Sequence, residues 1–153
     1  EDFDQAGMGK VRFEDGKEFP ISDGIVPKFE DLLNQFEPDI IVSSLGTNMI
    51  NTGNRVENTY NLATQATNDE MYDDNTPKCY WIGPAVVTDK DFTKNLDEAV
   101  AEIKEGTEGY CYFIDATEHS EESYIGSDGI HFTNSGGISL ANDVFDIMIN
   151  EIE

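Results

Sequence analysis

Asp128 and His131 stand three residues apart, in a loop bounded by Gly126, Gly129 and then Gly136-Gly137. A catalytic imidazole must take a proton from a nucleophile and hold one tautomer while doing so. A carboxylate on the other ring nitrogen supplies that control, and a D-x-x-H turn can bring both groups onto one surface. The spacing alone is common, and a stray aspartate beside a surface histidine is the bland alternative. A second group with chemical potential is Gly46-Thr47-Asn48. An asparagine amide at a strand end can donate to a developing oxyanion, and Gly46 lets the backbone approach closely. Taken alone, this element is equally a simple turn.

These groups need elements to hold them. Asp39-Ile40-Ile41-Val42-Ser43-Ser44-Leu45, stopped by Gly46, reads as a strand buried on both faces. Before it, Ile25, Phe29, Leu32, Leu33 and Phe36 recur at helical spacing, with Ser22 or Asp23 as N-cap, Pro27 in the first turn and Pro38 ending the segment. A second strand is Cys79-Tyr80-Trp81-Ile82, closed by Gly83-Pro84. The helix after it carries Phe92, Leu96, Ala99, Val100 and Ile103 on one face, capped by Thr88 or Asp89, with Gly106 as the C′ glycine. A third strand is Tyr110-Cys111-Tyr112-Phe113-Ile114, ending at Asp115. The last helix shows Ile138, Ala141, Val144, Phe145, Met148, Ile149 and Ile152 as one stripe, capped by Asn134 or Ser135. Near the start, Lys10 to Phe19 alternates around the hairpin signal Asp15-Gly16.

Alternating strands and helices specify a parallel sheet with helices on both faces. Ligands of such sheets bind beyond the carboxyl ends of the strands. Gly46-Thr47-Asn48, Gly83-Pro84, Asp115 and the Ser127-Asp128-Gly129-Ile130-His131 loop all gather at that end. The predicted fold is a flavodoxin-like three-layer α/β/α domain, and the 153 residues make one domain.

Composition narrows the function. The chain has 32 acidic and 9 basic residues, a net charge of −23. Such a charge repels nucleic acid and anionic membrane surfaces. It reads as a heavily solvated acidic surface, as adaptation to high salt, or as incidental cation binding at Asp69-Glu70 with Asp73-Asp74. No EF-hand spacing is present. No apolar run reaches the ~20 residues of a membrane span. No signal peptide is visible, but Glu1-Asp2-Phe3-Asp4 reads as a processing boundary, so compartment stays open. The two histidines, His119 and His131, are too few for a His-rich metal site. Cys79 and Cys111 each sit in a β-like run. Two buried free thiols are the expectation, and a bridge requires their strands to be neighbours.

The two chemical elements together resemble a known family. Pro38-Asp39-Ile40-Ile41-Val42 followed by Leu45-Gly46-Thr47-Asn48 is similar to the G-x-N block of SGNH/GDSL hydrolases. Gly129-Ile130-His131-Phe132-Thr133 with Gly136-Gly137 resembles the D-G-x-H-x-x-x-x-G block before their final helix. Cys79-Tyr80-Trp81-Ile82-Gly83-Pro84 is similar to the strand between these blocks. The resemblance covers roughly residues 24 to 152. It implies His131 as general base, Asp128 as its orienting carboxylate, and Asn48 with Gly46 at the oxyanion hole. Met49 departs from the aspartate often found after that asparagine. The implied activity is hydrolysis of acyl esters through a serine ester, with carbohydrate O-acetylesterases among the implied kinds. No cofactor or metal is implied, the substrate is a small-molecule or carbohydrate ester, and the setting is secreted or periplasmic.

Two upstream blocks are not recognisable. The family's nucleophile follows a Gly-Asp on its first strand, and no Gly-Asp-Ser occurs here. Gly7 and Gly9 match the family's second block too poorly to be assigned. Ser127 adjoins Asp128, Ser43 and Ser44 end the first buried strand, and Ser22 caps a helix, so none stands out. In a flavodoxin-like order the first strand lies inside the sheet, and its loss leaves a buried edge unpaired. The sheet is then completed by an N-terminal fragment, a second chain or the Lys10 to Phe19 segment. The expectation is a missing fragment, with this sequence the C-terminal portion of a larger domain. A non-catalytic ligand- or carbohydrate-binding module on the same scaffold stays open beside the hydrolase.

Overall fold

β-Branched residues are stiff and favour extended backbone, and this chain places Ile40, Ile41 and Val42 together ahead of Gly46. A computed structural model describes residues 10–12, 18–20, 29–67 and 76–152. In chain order the elements are β1 (Lys10–Arg12), β2 (Glu18–Pro20), α1 (Phe29–Phe36), β3 (Ile40–Ser44), α2 (Arg55–Ala66), β4 (Lys78–Ile82), α3 (Lys90–Thr93), α4 (Leu96–Thr107), β5 (Tyr112–Ile114) and α5 (Asn134–Ile152). β1 and β2 pair antiparallel, Val11 opposite Phe19, as the hairpin reading requires. Its turn at Asp15-Gly16 lies outside the described residues, as do Ser22, Asp23, Ile25, Pro27 and the 69–74 acidic cluster.

β3, β4 and β5 form a parallel sheet in sequential order, with β4 in the middle. Val42 stands opposite Tyr80, and Tyr80 opposite Tyr112. Parallel neighbours need crossover connections, and α2 and the α3–α4 pair supply them. On one face Leu62, Ala63, Trp81 and Ile103 form a core beneath α2 and α4. Leu33 of α1 joins Ile41, Ala66 and Cys79 beside it. Trp81 is fully buried, and its indole N–H donates to the Leu45 carbonyl at 2.9 Å. On the other face Tyr80 and Ile114 pack with Leu140 and Val144 of α5. The fold is therefore α/β with helices on both sides of a parallel sheet.

Several local expectations change. Cys79 and Cys111 are bridged, not free. The β4–β5 register aligns the residue before Tyr80 with the residue before Tyr112, which brings the two Cα atoms to 4.5 Å. α2 has no counterpart in the hydrophobic pattern. Its buried face is Arg55, Thr59, Leu62, Ala63 and Ala66, at helical spacing but partly polar. The helix expected after β4 is split at Lys94-Asn95. Asp89 caps its first piece, accepting from the N–H groups of Asp91 and Phe92 at 2.9 and 3.2 Å. Gly106 lies inside the last turn of α4, where a side chain would strike the Val56 carbonyl of α2. Thr133, not Asn134 or Ser135, caps α5, its hydroxyl accepting from the Gly136 N–H at 3.0 Å. The third strand is shorter than expected and starts at Tyr112. Phe36 is exposed rather than part of a buried stripe.

β3 also differs from its sequence pattern. Ile41 and Ser43 are buried, while Ile40, Val42 and Ser44 are exposed. α5 covers β4 and β5 but not the same face of β3. Among the described residues, the edge of β3 turned away from β4 has no neighbouring strand.

Candidate active site

The loop before α5 is pinned at both ends. An antiparallel bridge joins Ile125 to Phe132, and the Gly126 N–H donates to the His131 carbonyl at 2.6 Å. The loop then rests on the segment after β4. The Gly129 carbonyl accepts from the N–H groups of Thr88 and Asp89 at 2.9 and 3.1 Å. Gly129 has φ +75, and a Cβ there would lie 2.6 Å from the Asp89 nitrogen. Only glycine fits both the left-handed backbone and that contact.

Inside this frame, Asp128 Oδ2 lies 2.7 Å from His131 Nδ1. Its other oxygen accepts from the backbone N–H groups of Ile130 and His131 at 3.0 and 2.9 Å. These two backbone donors, and then the imidazole, hold the Asp128 carboxyl well below the usual carboxylate range. An ionised carboxylate can only accept, so in the neutral imidazole this contact places the proton on Nδ1 and makes Nε2 the acceptor. That is the tautomer a general base needs. The His131 side chain is 82% exposed and that of Asp128 53%. Nothing among the described residues hydrogen-bonds Nε2.

The second element follows β3. The Met49 N–H donates to the Gly46 carbonyl at 2.8 Å, closing a 3-10 turn over Thr47–Met49. A Cβ on Gly46 would lie 2.7 Å from Pro84 Cδ, so glycine is required for this turn to lean on the segment after β4. Asn48 is exposed. Its carboxamide makes no hydrogen bond among the described residues.

Both elements thus rest on one segment, residues 83–89, which leaves the central strand. Gly46 touches it at Pro84 and Gly129 at Asp89. Ser120, after β5, touches it too, its hydroxyl accepting from the Val86 N–H at 3.0 Å. All three strand ends converge there, as the topology demands.

An open groove of about 470 Å³ runs between the exposed face of β3 and α5. Val42, Ser44 and Ile82 form one wall, and Phe132, Leu140 and Phe145 the other. Phe132 is the residue after His131, so the groove begins beside the Asp–His pair. Of the serines weighed from sequence, Ser44 lines this groove, Ser43 is buried and Ser127 is exposed. Ser22 lies outside the described residues.

Sequence reasoning missed one group near the site. Arg55, buried at the start of α2, reaches back to the Ile50 and Thr52 carbonyls just beyond Asn48. The available signal was Glu98 and Glu102, two like charges four apart on one helix face, which call for a cation between them.

No family model matches the chain, and no curated protein matches it by sequence. A solved structure, described as a carbohydrate acetylesterase family member from Sinorhizobium meliloti, is similar in fold. The TM-score is 0.58 at 15% identity, over 78% of this chain. The chain spans 64% of the length of that structure. At this identity the likeness establishes the fold: a parallel α/β sheet of the kind that esterase uses.

Proposed function

We propose that this chain carries the base and oxyanion elements of an SGNH-type serine ester hydrolase. The carrying observation is the 2.7 Å Asp128–His131 pair, with no hydrogen bond to Nε2 among the described residues. In the proposed cycle a serine hydroxyl attacks the ester carbonyl while His131 Nε2 takes its proton. The carbonyl oxygen becomes an oxyanion, which the Asn48 amide stabilises beside Gly46. Collapse expels the alcohol, which takes the proton from His131. Water then attacks the acyl-serine by the same route, releasing the acid and regenerating the hydroxyl. That the Asn48 carboxamide has no hydrogen bond among the described residues suits its role, because a donor meant for a transition state should have no resident acceptor.

The serine comes from outside this sequence, on a strand-and-helix segment that completes the sheet. The edge of β3, unpaired among the described residues, and its exposed face support this, together with the apolar groove at its side. A second copy is a poor occupant, since each copy carries −23. On this reading the chain is the C-terminal portion of a larger domain. Carbohydrate O-acetyl esters are the proposed substrates, supported by the description of the similar structure. The Cys79–Cys111 bridge fits an oxidising, secreted or periplasmic setting. A binding module on the same scaffold is favoured by one observation, that no serine hydroxyl among the described residues meets Nε2.

Ester turnover by the chain alone, compared with the natural polypeptide including its upstream region, separates these readings. The longer protein should hydrolyse short acyl esters, and His131→Ala should remove about 10²–10⁴-fold of the rate. An inert longer protein, or one indifferent to His131→Ala, contradicts the hydrolase.

A further inference from the structure

We infer that Arg55 is the positioning residue of the turn that presents Asn48. This rests on the reading of Asn48 as an oxyanion donor. After Met49 the chain must reach the first turn of α2, and its carbonyls at Ile50 and Thr52 precede the helix. The Arg55 side chain folds back to them, one guanidinium nitrogen donating to Ile50 O at 3.2 Å and to Thr52 O at 2.6 Å. The other terminal nitrogen meets Glu98 at 3.2 Å. Nε lies 2.6 Å from Glu102 but off the line of a hydrogen bond, so that contact is one of charge.

The arrangement needs arginine. Only a planar guanidinium offers donors in several fixed directions, and an ammonium cannot bridge two carbonyls and two carboxylates at once. The side chain is buried, so little water competes for these bonds. Glu98 and Glu102 belong to α4, which packs on Trp81 through Ile103. Arg55 therefore ties the turn to the firmest part of the core. Ile50 is buried with Val87, Leu96 and Ala99, and Asn51 accepts from the Asn95 amide at 2.8 Å. Ile50 and Asn51 are thus anchored on the chain that follows the exposed Asn48. A donor held by its neighbours needs no reorganisation as charge develops.

The test compares Arg55→Lys and Glu98→Gln with the parent chain. Amide exchange is read at Met49, Ile50 and Thr52, whose N–H groups are bonded within the turn. Trp81 and Ile103 amides report global stability in the same samples. In both variants the turn amides should exchange about tenfold faster or more, with the core amides far less affected. In the ester-hydrolysing longer protein, Arg55→Lys should lower kcat with KM nearly unchanged, as for loss of a transition-state contact. Unchanged turn exchange, or an equal rise at all amides, overturns the inference. An unaltered kcat in Arg55→Lys, where Asn48→Ala is impaired, overturns it as well. If Asn48→Ala is also unimpaired, the reading of Asn48 fails instead, and the exchange data still decide what Arg55 holds.

Discussion

The two faces of the sheet are finished to different degrees. Under α2 and α4, Trp81, Ala63 and Ile103 are fully enclosed, and the Cys79–Cys111 bridge locks β4 to β5. On the opposite face, among the described residues, α5 covers β4 and β5 but leaves β3 open. Val42 of β3 is 47% exposed, and Ile138 and Phe145 of α5 are 63% and 60% exposed. The Asp128–His131 pair stands where the covered part of this second face gives way to the open part. A closed face can hold the strand ends in place, while an open face can receive a further segment.

The largest effect should come from breaking the closed face. Trp81→Ala removes its central side chain and should cost about 3–5 kcal/mol in denaturant unfolding. Reducing the bridge frees a loop with a sequence separation of 32 and should cost about 3–4 kcal/mol in the same measurement. The open face should behave oppositely. Val42→Thr and Phe145→Gln should each shift the stability of the chain by no more than about 0.5 kcal/mol. The same changes in the longer protein should destabilise it clearly more, if a further layer covers these residues. Equal costs in both would erase the contrast between the faces.

The smallest effect concerns pH. The Asp128 carboxyl is held below its ordinary range by the Ile130 and His131 N–H groups. Its folded value is lower than its unfolded one, so its contribution is full above about pH 4 and fades as pH falls below that. Carboxyl NMR should show Asp128 titrating below the other aspartates. A normal titration midpoint would mean that the turn bonds are absent in solution.

Much of this was legible in the residues, for identifiable reasons. β3, β4 and β5 announce themselves as apolar runs stopped by polar or glycine residues. The Asp128–His131 turn was readable because an aspartate three residues before a histidine can bond backbone and ring together. α2 was not readable, because Arg55 and Thr59 occupy its buried face and break the apolar stripe. Arg55 makes sense only once α4 brings Glu98 and Glu102 beside it. The bridge was missed because pairing depends on strand order, which spacing does not reveal. The open face of β3 was invisible too, since its residues read as buried on both sides. The cap of α5 was misplaced by one residue, as helix starts often are when Thr, Asn and Ser adjoin.

We propose that His131 activates a serine carried outside these residues. Labelling the natural full-length protein with a fluorophosphonate, followed by peptide mapping, tests it directly. The label should fall on one serine upstream of this sequence and should vanish in His131→Ala. No labelling, or a label indifferent to His131→Ala, would contradict the account.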